Sequence, residues 1–209
     1  MISVSYLKSK YDELTTIKLI DESIADLIHV DLMDGLYVPN KNFELKQVIK
    51  LLTGTKKMLD IHLMVNDPLK YIEELSTLNV KIITIHLDST NNLEKTIQMI
   101  KDKNILVGVA INPDENVDIL NDYLDKIDYV LIMSVYPGKG GQTFISEVTS
   151  KVRKLQDKDI LIGIDGGINK DTVHYLKDLS IDNIISGSFI CMSDDFNARI
   201  KELQEGLGK

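Results

Sequence analysis

The stretch Ile28-His29-Val30-Asp31-Leu32-Met33-Asp34-Gly35 sets two ionisable side chains two positions apart in an apolar run, then stops at a glycine. In a strand, that spacing turns His29 and Asp31 to one face and leaves Ile28, Val30 and Leu32 on the other. Burying such polar groups without partners costs roughly 2–7 kcal/mol each, so partners are expected from elsewhere in the chain. Two further segments have the same form, Asp60-Ile61-His62-Leu63-Met64 and Ile162-Gly163-Ile164-Asp165-Gly166-Gly167. Each is an apolar run ending in a polar group and a loop, and the three strand ends are expected to converge on one site.

Working outward, short Ile/Val/Leu-rich runs recur at intervals of roughly 20 to 35 residues, the spacing of one strand plus one helix. They lie near Ile2–Ser5, Leu27–Val30, Met58–His62, Ile82–Ile85, Leu106–Ala110, Tyr129–Met133, Leu161–Ile164 and Asn183–Ser186. Between them, apolar residues fall at helical spacing: Tyr71, Ile72, Leu75 and Leu78; Leu93, Ile97 and Ile100; Val148, Val152 and Leu155; Val173, Leu176 and Leu179. Asp67-Pro68 and Asn169 supply start signals for the first and last of these. Eight strands alternating with eight helices in 209 residues predict an α/β fold, a (β/α)8 TIM barrel in a single domain spanning residues 1–209. A doubly wound open sheet fits less well. No G-x-G-x-x-G follows the first strand, and the polar residues are spread over many strand ends.

A formal net charge of −8 argues against nucleic-acid or membrane-surface partners, which need clustered Lys and Arg. The single cysteine, Cys191, excludes an internal disulfide and a cysteine-based zinc centre. The start, Met1-Ile2-Ser3-Val4-Ser5-Tyr6, lacks the basic segment and long apolar core of a signal peptide, and a cytoplasmic protein is expected.

Taken together, His29, Asp31, His62 and Asp165 offer two imidazoles and two carboxylates, a donor set suited to one divalent cation such as Zn2+, Fe2+, Mn2+ or Co2+. Ser5 and His86 follow the first and fourth strands and are candidates for the same end of the barrel. Three glycine-containing loops, Pro137-Gly138-Lys139-Gly140-Gly141-Gln142, Asp165-Gly166-Gly167 and Ile185-Ser186-Gly187-Ser188, follow late strands. Backbone N–H groups there can approach an anion closely, and such loops commonly cradle phosphate in barrels. Met33, Met64 and Met133 lie at or just beyond strand ends, either filling the core or closing over a ligand.

In its motifs the chain resembles the ribulose-phosphate 3-epimerase family. The resemblance rests on His29-Val30-Asp31-Leu32-Met33-Asp34-Gly35 with Val38-Pro39-Asn40, Asp60-Ile61-His62-Leu63-Met64-Val65, Gly108-Val109-Ala110-Ile111-Asn112-Pro113, Met133-Ser134-Val135, Pro137-Gly138, Gly140-Gly141-Gln142, Asp165-Gly166-Gly167 and Gly187-Ser188. It implies a barrel and a reversible C3 epimerisation, D-ribulose 5-phosphate to D-xylulose 5-phosphate, with a bound divalent metal. By position, it makes His29, Asp31, His62 and Asp165 the metal ligands and Asp31 and Asp165 the acid and base. Ser5, His62, Gly138, Lys139, Gly140, Gly141, Gly166, Gly167, Gly187 and Ser188 become the substrate contacts, and assembly as a homo-oligomer is expected.

Departures bear on substrate identity. Many relatives carry His, Phe and an Asn, Asp or Glu where this chain has Leu36, Lys139 and Tyr136, with Lys10 and Asp88 in place of the usual Asp and Glu. A 3-epimerase of a hexulose 6-phosphate therefore stays open. So does a non-catalytic barrel that binds a sugar phosphate, although that would not need two carboxylates and two histidines together. Phosphate-binding decarboxylases and aldol-type synthases use Asp-x-Lys-x-x-Asp. The nearest match, Asp31-Leu32-Met33-Asp34, has methionine where the lysine would stand.

Overall fold

Strand alternation divides this protein into two interiors. The computed structural model, which describes residues 1–208, contains eight parallel strands: β1 (Ile2–Ser5), β2 (Leu27–Met33), β3 (Met58–Met64), β4 (Val80–His86), β5 (Leu106–Ile111), β6 (Tyr129–Met133), β7 (Leu161–Asp165) and β8 (Asn183–Ser186). They pair in sequence order and close where β8 meets β1. Val4, Ile28, Val30, Leu59, Ile61, Ile83, Ile85, Val130 and Ile164 belong to the continuous apolar core outside the sheet. Their strand neighbours Ser3, Ser5, His29, Asp31, Asp60 and His62 therefore point into the barrel.

The outer layer holds α1 (Glu13–Glu22), α2 (Leu45–Leu52), α3 (Leu69–Leu75), α4 (Leu93–Lys101), α5 (Thr149–Leu155), the short α6 (Ser188–Cys191) and α7 (Phe196–Gly206). Side-chain caps start several of them: Asp12 accepts from Thr15 N, Asn92 from Lys95 N and Asp195 from Ala198 N. α3 starts where Asp67-Pro68 predicts, with Pro68 as its N-cap residue.

The expected alternation with eight helices needs correction in two crossovers. After β5 and β7 the chain forms 3-10 turns, Val117–Leu120 and Val173–Leu176. In the second, Val173, Leu176 and Leu179 are spaced by three and three, which suits the period of a 3-10 turn. Bonds from Tyr175 N to Thr172 O and from Leu179 N to Leu176 O follow that shorter repeat. Among the described residues, no helix is long and apolar enough to cross a membrane.

Below the strand ends the barrel is filled by an inner cluster containing Leu27, Ile82, Ala110, Tyr129, Leu131 and Ile185. Tyr129 is fully buried and spans this layer because β5 and β7 each give it room with a glycine. A Cβ on Gly163 would lie 1.7 Å from the Tyr129 hydroxyl, and one on Gly108 would lie 2.8 Å from its ring. Gly163→Ala is accordingly expected to cost about 3 kcal/mol or more through overpacking, lowering Tm by about 6–12 °C. Thermal unfolding of the purified variant checks this, and a Tm close to that of the parent chain would contradict the packing described.

Candidate active site

Register brings the polar strand ends together: Ser5 pairs with His29, Asp31 with His62, and Met133 with Asp165. One donor atom from each of His29, Asp31, His62 and Asp165 lies within 4.8 Å of the others. Nε2 of His29 is 3.3 Å from Asp31 Oδ1 and 4.0 Å from Asp165 Oδ2, and Nδ1 of His62 is 3.4 Å from Asp31 Oδ1. Both imidazoles are fully buried, whereas the Asp31 and Asp165 side chains keep 7% and 15% exposure. The carboxylates thus form the floor of an open cleft, with the histidines behind them.

Each member is held by neighbours. Ser5 Oγ donates to Asp31 Oδ2 at 2.8 Å. His29 Nδ1 contacts Asp60 Oδ2 at 2.9 Å, and the Nε2 atoms of His62 and His86 lie 2.9 Å apart. Asp34 turns away from the cluster, accepting from the backbone N–H groups of Leu36, Tyr37 and Asn66. With methionine at position 33 and leucine at position 36, no Asp-x-Lys-x-x-Asp array starts at Asp31.

The electrostatics separate the two cleft carboxyls. Burial alone would raise Asp31, but the imidazoles of His29 and His62 hold it well below the usual carboxylate range. Asp165 is pushed up to about 7, by burial first; His29 opposes the rise, and Asp31 and Asp60 add to it. Burial would lower His29, yet the Asp60 and Asp31 carboxylates outweigh it and leave the ring well above the ordinary histidine value. Burial, with His62 adding to it, takes His86 well below that value and keeps its ring neutral.

Opposite the cluster, the glycine loops form the other wall: Gly138, Lys139, Gly140, Gly141, Gly166, Gly167, Gly187 and Ser188 all line the same cleft. The Gly166-Gly167 turn can only be glycine. Both residues have positive φ, 119° and 65°, and a Cβ on Gly167 would stand 2.5 Å from Phe144 N. Ser134 Oγ donates to the Asp165 and Gly166 carbonyls, and Asn40 Nδ2 donates to Gly138 O, tying these loops to one another and to the β2–α2 connection. Met33, Met64 and Met133 also line the cleft and are at most 2% exposed.

Two sequence expectations land differently in space. His62, expected both as a ligand and as a substrate contact, joins the cluster but lies beneath the cleft surface. His86 is the last residue of β4, outside the four-residue cluster. Sequence reasoning misses Lys8, which lines the cleft and covers the glycine loop: a Cβ on Gly141 would lie 2.6 Å from its Nζ. Its place in a polar loop without periodicity gives no local signal.

The comparisons with known proteins follow this geometry. Residues 1–191 match the model of the ribulose-phosphate 3-epimerase family. The chain belongs to that family. Ribulose-phosphate 3-epimerase of Bacillus subtilis is 34% identical over 195 residues, covering 90% of each chain. The ribulose-phosphate 3-epimerase of Buchnera aphidicola subsp. Baizongia pistaciae is 35% identical over 218 residues, covering 99% of this chain and 95% of its own. Among solved structures, KGPDC from Streptococcus mutans superposes with a TM-score of 0.72 at 16% identity, over 99% of this epimerase and 96% of that chain, a likeness of fold. This epimerase is therefore an isomerase acting on a sugar phosphate.

Proposed function

We propose that this epimerase inverts C3 of a ketopentose 5-phosphate, interconverting D-ribulose 5-phosphate and D-xylulose 5-phosphate, with Asp31 and Asp165 as the acid/base pair. The observation that carries the reading is the pair of nearly buried carboxylates on the floor of one small cleft whose other wall is a set of glycine loops. A hydrogen next to a ketone is weakly acidic, so its removal needs a positioned base and stabilisation of the resulting enediolate. One carboxylate takes the proton from one face of C3, and the other delivers a proton to the opposite face. Running the reaction backwards exchanges their roles. Ser5, donating to Asp31, fixes the orientation of that carboxylate. The three methionines shield the reacting carbon from bulk water.

The donor set fits a divalent cation. His62 Nδ1 is buried and has no hydrogen-bond partner although Asp31 Oδ1 is 3.4 Å away, so the two atoms aim at a common point rather than at each other. His29, Asp31, His62 and Asp165 would hold the ion, and mixed imidazole and carboxylate donors suit Zn2+, Fe2+, Mn2+ or Co2+. Bound there, it would act as a Lewis acid toward the negative charge that develops as the proton leaves C3.

Gly138, Gly140, Gly141, Gly166, Gly167, Gly187 and Ser188 are placed to receive the phosphoryl group through backbone N–H donors. Lys8 and Lys139 add two ammonium groups that have no ion-pair partner among the described residues. Because phosphate contacts persist from ground state to transition state, Lys8→Gln is expected to raise KM about threefold to tenfold with kcat nearly unchanged. Steady-state kinetics at two salt concentrations check this: the parent chain loses its advantage as salt rises. An unchanged KM at low salt would remove Lys8 from the site.

The experiment that tests the function is an epimerisation assay, with C3 hydrogen exchange into deuterated solvent, across pentulose 5-phosphates and hexulose 6-phosphates. Fastest turnover on ribulose 5-phosphate is the expected result. Preference for a hexulose 6-phosphate would reassign the substrate, and binding without exchange of any C3 hydrogen would overturn the catalytic reading.

A further inference from the structure

Asp60 has no part in the chemistry above, yet it is fully buried, sits two positions before His62 on the same face of β3, and pairs in register with His29. It does not line the cleft and cannot touch a substrate. We infer that Asp60 is a positioning residue for the metal centre, fixing His29 with its hydrogen on Nδ1 so that Nε2 faces the other ligands. This rests on the metal-binding reading given above and goes beyond it in naming what sets the ligand atom of His29.

The direction of each hydrogen bond leads to that assignment. Ser3 Oγ donates to Asn183 Oδ1 at 2.8 Å; a hydroxyl could serve either end of that amide, so it is the acceptor-only carboxylate of Asp60 that sets the orientation of Asn183. Its Nδ2 then donates to Asp60 Oδ2 at 3.0 Å and also lies 3.3 Å from the Tyr129 hydroxyl. The same Asp60 oxygen meets His29 Nδ1 at 2.9 Å, and an oxygen that accepts from the amide takes the imidazole hydrogen as well. The only ring nitrogen left to His29 is Nε2, the atom already 3.3 Å from Asp31 and 4.0 Å from Asp165. Four residues from four strands, Ser3, Asn183, Asp60 and His29, thus form one chain from the barrel interior to the cluster. His62 has no such carboxylate behind it; its outer nitrogen faces the neutral ring of His86. A carboxylate behind a ligating imidazole both fixes the tautomer and makes the ligand more basic.

The test is a Zn2+ titration of the purified chain against a chromogenic chelator, combined with nitrogen NMR of the His29 ring in the Zn2+-loaded protein. The parent chain is expected to show the His29 hydrogen on Nδ1. Asp60→Asn, which lets an amide NH2 face that nitrogen, is expected to bind Zn2+ about tenfold to a hundredfold more weakly and to alter the His29 signals. Ser3→Ala removes only the hydroxyl that holds Asn183 Oδ1 in place, and it should weaken Zn2+ binding in the same direction by a smaller factor, which keeps the test open should Asp60→Asn fold poorly. Zn2+ affinity within about twofold of the parent in both variants, with unchanged His29 signals, would overturn the inference. A parent chain with the hydrogen on Nε2 would do so as well. A parent chain that binds no Zn2+ would instead sink the metal reading itself, so the two failures are told apart.

Discussion

Asp165→Asn and Asp31→Asn are each expected to lose epimerisation by about a thousandfold or more, with substrate binding largely kept. The size follows from removing a positioned base, a group whose contribution reaches about 10^4-fold, from a reaction that needs one on each face of the same carbon. Asparagine keeps the shape of the side chain, and the cluster packs it tightly, so the change removes proton transfer more than structure. The two variants should also differ from each other. Each fails to exchange the C3 hydrogen of the epimer that its missing carboxylate faces, while the surviving carboxylate still serves the other epimer slowly. Measuring solvent deuterium uptake separately from each epimer decides it: undiminished exchange from both epimers in either variant would take that aspartate out of the mechanism.

The second large effect concerns the metal. Stripping the protein with a strong chelator is expected to lower turnover by at least about a hundredfold, with recovery on adding one first-row divalent ion. Folding should survive the treatment, because the apolar core between sheet and helices is continuous without the site. The cluster also has its own compensation, since His29 is held well above the ordinary histidine value and can carry a positive charge among the carboxylates. Circular dichroism and activity measured on the same stripped sample separate the two effects. Full turnover in protein shown to be metal-free would leave two carboxylates and two imidazoles without the purpose assigned to them.

How far residues announce structure differs along this chain. β1, β6 and β8 coincide with the apolar runs Ile2–Ser5, Tyr129–Met133 and Asn183–Ser186, because there the run and the hydrogen-bonded ladder end together. β2, β3 and β4 continue past Val30, His62 and Ile85 to Met33, Met64 and His86. A histidine or aspartate at a strand end reads as the start of a loop, yet here it remains paired because its partners lie inside the barrel. The four clustered residues can be found from sequence since each interrupts an apolar strand with a group that demands a partner. Asp60 carries a similar signal, two residues from His62, but its partners come from β2 and β8, which only closure of the sheet brings together. The turn Val173–Leu176 shows the opposite error: apolar residues three apart suit an α-helix and a 3-10 turn alike, and the backbone takes the shorter repeat.

The Tyr129 ring and its two facing glycines have one more consequence. With that plug in place the barrel is a cul-de-sac, not a tunnel. The product must back out through the doorway by which its precursor came in. Turnover is single-occupancy traffic, and whatever obstructs the rim delays arrival and departure alike.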